Sequence, residues 1–294
     1  MSVGEAFTGR AWRRPRGLLL PALALLGLAL FVIFGPLLIG PGGAIVDLRH
    51  RLAGPSLVHP LGTDALGRDL LLRLCEGGRV SLLVGVSAAI AAAVVGTAIG
   101  LVAGYRGGRI DALLMRITDG VIALPLLPLL VVLAAIDLNK IGLGALQRAE
   151  AASLYRIIIL VALVGWTTVA RLVRGAALSL KAQEFVRAAH ALGARPLRVM
   201  LVHILPNLAT PIIVATTLSV GEIILLESVL SFLGLGISPP MASWGNMLTG
   251  AQETIALAPQ LALYPGVLIL TTVIACNFLG DGLQAALDPR AVRR

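Results

Sequence analysis

Two carboxylates, Glu222 and Glu227, stand five residues apart in an apolar run that has no lysine or arginine nearby. A charge in a membrane-crossing segment opposes insertion by about 2.5–3.5 kcal/mol on one scale. Two explanations justify that cost. One is a wet pathway along which a cationic group, such as a peptide amino terminus or a metal cation, passes. The other is a contact to another helix or to a partner chain. Arg116 and Asp119 are three residues apart in a different apolar run, and mutual neutralisation is the simpler reading for them. Asp281, near the end of the last run, reads as interfacial. Enzyme chemistry finds little to use. The four histidines are His50, His59, His190 and His203, and none falls inside an apolar run. There is no H-E-x-x-H and no G-x-S-x-G, which argues against a membrane hydrolase. Cys75 and Cys276 are too far apart in sequence for a metal-ligand spacing. No catalytic residue and no metal ligand is assigned. No G-x-x-x-x-G-K-[ST] phosphate loop occurs, so this chain is not expected to power anything from ATP by itself.

The other unusual stretch is short, basic and two-sided: EFVRAAHALGARPLRVMLVHILPN, Glu184 to Asn207. Phe185, Ala188, Ala189 and Leu192 recur at helical spacing, and so do Leu197, Met200, Leu201 and Ile204. Each set predicts one apolar stripe, with Glu184, Arg187 and His190 off the first and Arg195, Arg198 and His203 off the second. Gly193 suits the positive φ that ends a helix. Pro196 suits the first turn of the next helix, and Pro206 is expected to end it. Two helices this short are marginal alone and need a surface to lie against. Periodicity leaves two surfaces open: the lipid headgroups or a cytoplasmic protein.

The elements that position these residues follow from hydropathy. The chain has 294 residues, 57% of them hydrophobic and 13% charged, with a mean hydropathy of +0.93. That composition predicts an all-α integral membrane protein. Six spans are expected, at 18–40, 80–104, 112–136, 156–180, 206–233 and 263–286. A basic N-terminus (1–17) precedes the first, an outer segment (41–79) follows it, a five-span core runs over 80–286, and a short tail (287–294) ends the chain. With the N-terminus inside, 15 lysines and arginines fall on the cytoplasmic side and 8 outside, with Arg116 within a span. The excess predicts N-in and C-in and places residues 184–205 in the cytoplasm. The net charge of +9 is accounted for by orientation and anionic lipid, not nucleic acid. Gly96, Gly100 and Gly104, with Ala88, Ala89, Ala92 and Ala93, make a smooth face for close helix approach, either within this chain or against a second permease subunit. The region 234–259 has no lysine or arginine, and its Trp244 is expected at the membrane interface.

The 184–207 stretch resembles the cytoplasmic loop signature of permease subunits from binding-protein-dependent ABC importers. That signature reads Glu-Ala-Ala, three residues, Gly, nine residues, Ile, one residue, Leu-Pro. Ala188, Ala189, Gly193, Leu205 and Pro206 match in register. Arg187 stands for the Glu and His203 for the Ile, a variant that looks like the peptide and nickel branch. HPLGTDALGRDLL (59–71), GGRVSLLVG (77–85), DALLMRITDGVIALP (111–125), WTTVARLVRGAALSLK (166–181) and ESVLSFLGLGISPPMASWGNML (227–248) resemble that branch in order. The resemblance implies the six-helix type I importer transmembrane domain in a bacterial or archaeal cell membrane. It implies a second, homologous permease subunit, an extracytoplasmic solute-binding protein, and two ATPase subunits that carry the ATP and Mg2+. Its solutes are di- or oligopeptides, or a related solute such as nickel. Residues Glu184, Phe185, Arg187, Ala188, Ala189, Leu192, Gly193, Arg195, Leu197, Arg198, Leu201, Leu205 and Pro206 would then seat in the ATPases, apolar stripe buried and arginines on the rim. A stand-alone secondary transporter, driven by an ion gradient, is the rival reading.

Overall fold

The computed structural model describes residues 16–40, 45–135 and 152–287. The N-terminal residues 1–15, the end of the third expected span with the stretch up to residue 151, and the tail beyond Leu287 lie outside the described residues. Among the described residues the regular elements are helical, apart from one isolated bridge between Thr63 and Asp69. They are α1 (Arg16–Ile39), α2 (Leu70–Arg106), α3 (Gly108–Ala123), α4 (Leu126–Ala135), α5 (Ala152–Lys181), α6 (Glu184–Ala191), α7 (Pro196–Arg198), α8 (Ala209–Phe232), α9 (Trp244–Ala251) and α10 (Gln260–Leu287). Five helical stretches are long and apolar enough to cross a bilayer: Leu18–Leu37, Leu70–Arg106, Ala152–Lys181, Pro196–Phe232 and Gln260–Leu287.

Two expected boundaries change. The third span is not one straight helix, because α3 and α4 meet at an 86° bend. Pro125 is the cause. It disfavours helical backbone at the residue before it, and Leu124 sits at φ −77°, ψ 134°. The fifth span does not start afresh at Pro206. A π-helical turn (Val199–Ile204) and a 3-10 turn (Leu205–Leu208) carry the chain from α7 into α8 without leaving helical geometry. The altered hydrogen-bond register accommodates the proline nitrogen, and Asn207 Nδ2 donates to the His203 carbonyl at 2.8 Å.

α2 is the mast of the fold. Its 37 residues rise about 55 Å, well past the ~30 Å of hydrocarbon. It begins at Leu70, ahead of the span expected from residue 80, because Asp69 caps it by accepting from Leu72 N at 2.8 Å. Charged Arg73, Glu76 and Arg79 hide this first part from a hydropathy reading. α2 and α5 form the most extensive helix pair, and the glycine stripe makes it possible. A Cβ on Gly96 would lie 2.5 Å from the Trp166 carbonyl oxygen. One on Gly100 would run into the Ala170 carbonyl and stand 2.9 Å from Val173 Cβ, and one on Gly104 would stand 2.8 Å from Ala177 Cβ. The stripe is therefore occupied within this chain, and the alternative of a second subunit on that face does not hold.

α1 packs on α2 and α10. Pro36 has no N–H, so the Val32 carbonyl one turn earlier loses its helical donor. Arg79 supplies the replacement, its Nε donating to the Val32 oxygen at 2.9 Å and its Nη2 to the Ile33 oxygen at 2.8 Å. Arg79→Met should therefore loosen α1 from α2 at a cost of about 1–3 kcal/mol, the size of an orphaned polar group. Thermal unfolding in detergent reads this, and an unchanged midpoint would show the carbonyl satisfied some other way.

Candidate functional site

The hairpin forms as its sequence predicts. α6 ends at Leu192, Gly193 takes φ +77°, and two crossing hydrogen bonds close the end. Gly193 N donates to the His190 carbonyl at 2.9 Å and Ala194 N to the Ala189 carbonyl at 3.0 Å, the paired bonds of a Schellman turn. Pro196 opens α7.

Its apolar residues divide differently from the expected stripes. Val186, Val199 and Ile204 are fully buried, with Ala189 and Met200 nearly so, against Leu101, Tyr105, Val169, Val173, Ala177 and Leu208 of the same chain. Phe185 (42% exposed), Leu192 (89%), Leu197 (62%) and Leu201 (49%) face outward, as do Ala188, Pro206 and the side chains of Glu184, Arg187, Arg195 and Arg198. Leu205 is half-buried against the inner cluster. So Ala189, Met200 and Ile204, placed on the outer stripes by spacing, seat the hairpin on its own protein. The π-turn shifts the angular register after Arg198, which an ideal helical wheel cannot anticipate.

Three residues outside the stretch fasten it. The Tyr105 hydroxyl lies 3.4 Å from His190 Nε2, with the rings stacked at 6.0 Å. Lys181 Nζ donates to the Tyr105 carbonyl at 2.5 Å and sits 5.6 Å over its ring. Tyr105 is the last buried residue of α2, so the hairpin is fixed to α2 as well as to α5. Nothing in the sequence signals this contact across 85 residues.

Arg171 and Arg174, near the same end of α5, do more than anchor to lipid. Arg174 grips Asp111 with two bonds, at 2.5 and 2.7 Å, and Arg171 pairs with Asp119 at 2.5 Å. The partner of Asp119 is thus Arg171 on another helix, and not Arg116. Both acids lie on α3, so the arginines hold α3 against α5. At about half exposure, the Arg171–Asp119 pair contributes at most ~1 kcal/mol.

The two span carboxylates separate. Glu227 is fully buried. Ser81 Oγ of α2 donates to its Oε2 at 3.2 Å, and Ser231 Oγ to its Oε1 at 2.6 Å. The same Ser81 oxygen accepts from Trp244 N at 3.1 Å. Trp244 is fully buried too, its Nε1 donating to the Leu74 carbonyl at 2.9 Å. It is therefore a core residue and not an interfacial one. Glu227 joins α2, α8 and the start of α9 in one hydrogen-bonded knot. Glu222 is exposed on α8. Residues 81 and 243–244 lie so far from 227 in sequence that the knot is invisible without the fold.

A multi-pass helical membrane protein with a cytosolic-type helix–Gly–helix hairpin fastened to its spans is the permease class of transport subunit. The chain belongs to the family described as binding-protein-dependent transport system inner membrane component, whose model matches residues 96–293. It is 42% identical to the dipeptide transport system permease protein DppC of Alkalihalophilus pseudofirmus, over 89% of this chain and 82% of that one. It is 41% identical to the protein of the same name from Bacillus subtilis, over 98% and 87%. It is 38% identical to the oligopeptide transport system permease protein OppC of Bacillus subtilis, over 91% and 86%.

Proposed function

We propose that this chain is the permease subunit of an ATP-driven importer of di- or oligopeptides in a bacterial or archaeal cell membrane, and that the Glu184–Leu205 hairpin is where separate ATPase subunits drive it. The observation that carries the coupling role is the two-faced hairpin. Its inner apolar face is satisfied by its own protein, yet Phe185, Leu192, Leu197 and Leu201 still project outward. A lipid-surface role would not need the hairpin clamped to α2 and α5, whereas transmitting a push does. Peptides as solute rest on the names of the relatives. A second permease subunit completes the pathway, a solute-binding protein delivers the peptide, and ATP and Mg2+ are held by the ATPases. Glu222 is the carboxylate we assign to the pathway, and its exposure supports this. Glu227 we assign to holding the outer end together.

Gly193→Val tests the seat without removing any contact. No atom lies within 4 Å of a Cβ placed there, so its effect is backbone strain at positive φ, about 1–2 kcal/mol. The chain should still insert, while peptide uptake per ATP hydrolysed falls several-fold in proteoliposomes. Leu192→Asp with Leu197→Asp should go further and release the ATPases during purification. Normal uptake in the glycine variant, or ATPases retained by the double variant, would count against the hairpin as the drive point.

A further inference from the structure

At the end of the molecule opposite the hairpin, a cleft of about 400 Å³ opens between the 64–73 segment, the α8–α9 connection, α9 and the start of α10. Its walls are mostly apolar, with Leu66, Leu70, Ile237, Pro239, Met247 and Leu261 among them. The polar residues of its wall are largely occupied. Asn246 Nδ2 donates to the Ile237 and Met241 carbonyls, and the Thr249 hydroxyl to the Ser231 carbonyl. Ser231 Oγ donates to Glu227 and accepts from Ile237 N.

The charges do not close in the same way. Asp64 Oδ1 accepts from Leu66 N at 2.8 Å and Arg68 N at 3.0 Å. Its Oδ2 takes Arg68 Nε at 2.8 Å and Arg68 Nη2 at 2.7 Å. Arg73 reaches that same, already committed oxygen only through Nε, at 3.4 Å. Its side chain is 12% exposed, and among the described residues it makes no hydrogen bond. Glu76, one turn further along α2, is close enough to be felt electrostatically but forms no ion pair with it among the described residues. A guanidinium held largely out of water, lining a cleft and lacking a matched acceptor, is costly unless an anion completes it. The support is rigid. Asp69 caps α2 beneath Arg73 and binds His59 Nδ1 at 3.0 Å. Gly62 and Gly67 hold the loop at φ +82° and +74°.

We propose that this cleft is a carboxylate-binding site, with Arg73 as the unmatched cation and the apolar wall taking the body that carries the carboxylate: the C-terminal residue of a small peptide. The volume falls within the ~300–1,000 Å³ range of small-molecule sites. Planar two-pronged binding of a carboxylate is what the free face of a guanidinium offers. The assignment to a peptide rests on the reading of the chain as a peptide permease. The carboxylate alone does not, since an acidic side chain of the solute-binding protein has the same chemistry.

The test uses the assembled permease and ATPase complex in lipid nanodiscs without the solute-binding protein. Leucyl-leucine as the free acid and as its C-terminal amide are the probes, read by saturation-transfer NMR. The free acid should bind and the amide should not. Arg73→Gln should lower affinity for the acid by about ten- to a hundred-fold, the range a charge-assisted hydrogen bond carries, while Arg73→Lys keeps part of it. An unchanged thermal midpoint for Arg73→Gln shows the fold intact. Equal binding of acid and amide by the native complex, or unchanged acid binding in Arg73→Gln, overturns the proposal. So does a variant that loses only docking of the empty solute-binding protein, which would make that protein the source of the carboxylate. Peptide uptake by the native complex in proteoliposomes is measured separately. Arg73-dependent acid binding without uptake would sink the importer reading and leave the site standing.

Discussion

Gly100→Leu is expected to abolish accumulation of folded protein. A side chain there meets the Ala170 carbonyl and Val173 Cβ of α5, and neither neighbour is the free end of a flexible side chain. Overpacking costs about 1–3 kcal/mol where neighbours yield, and more where they do not. Here two backbones would have to part along the most extensive contact in the protein. In a membrane the loss is not recovered elsewhere, because lipid tails are as apolar as the helices and close packing is what favours association. A matched control is available. No atom lies within 4 Å of a Cβ on Gly175 of the same helix pair, so Gly175→Ala should be neutral or stabilise α5 by up to ~1 kcal/mol. Membrane-fraction yield and thermal midpoint read both variants. Normal yield of Gly100→Leu would show that α2 and α5 do not pack as described.

Trp244→Ala should destabilise the outer end by about 3–5 kcal/mol, the range for emptying a large aromatic site. The indole lies against Gly78 of α2, where a Cβ would come within 2.7 Å of Trp244 Cζ2, and it fills a cluster with Val32, Leu70 and Leu74. Trp244→Phe removes the Nε1 bond to Leu74 but keeps much of the volume, so its cost should be nearer ~1 kcal/mol. Thermal unfolding of the purified permease separates the two. Equal effects would mean the hydrogen bond matters and the packing does not. Because the same knot contains Glu227, the alanine variant should also expose residues 234–251 to protease sooner than the phenylalanine variant.

The sequence by itself determined that the chain is helical and membrane-embedded, where most of the spans run, and that a glycine-hinged hairpin interrupts them. These are local properties. Hydropathy over twenty residues, a glycine at the one place requiring positive φ, and a proline at a helix start each act within a turn or two of themselves. Partnership was decided only by the tertiary structure. The glycine stripe could face two surfaces until α5 was seen to occupy it. Asp119 chose Arg171 over its own helical neighbour Arg116. Trp244 went inside instead of to the interface, and Glu227 became a buried joint while Glu222 stayed exposed. The reason is common to all four. In a chain this apolar nearly every helix face can pack, so composition says that a residue will be covered without saying by what. The bend at Pro125 and the π-turn before Pro206 then rotate whole faces by amounts that no ideal period contains. The unmatched guanidinium of Arg73 belongs to the same category, since an arginine lacking its acceptor can be recognised only once every acceptor around it has been placed.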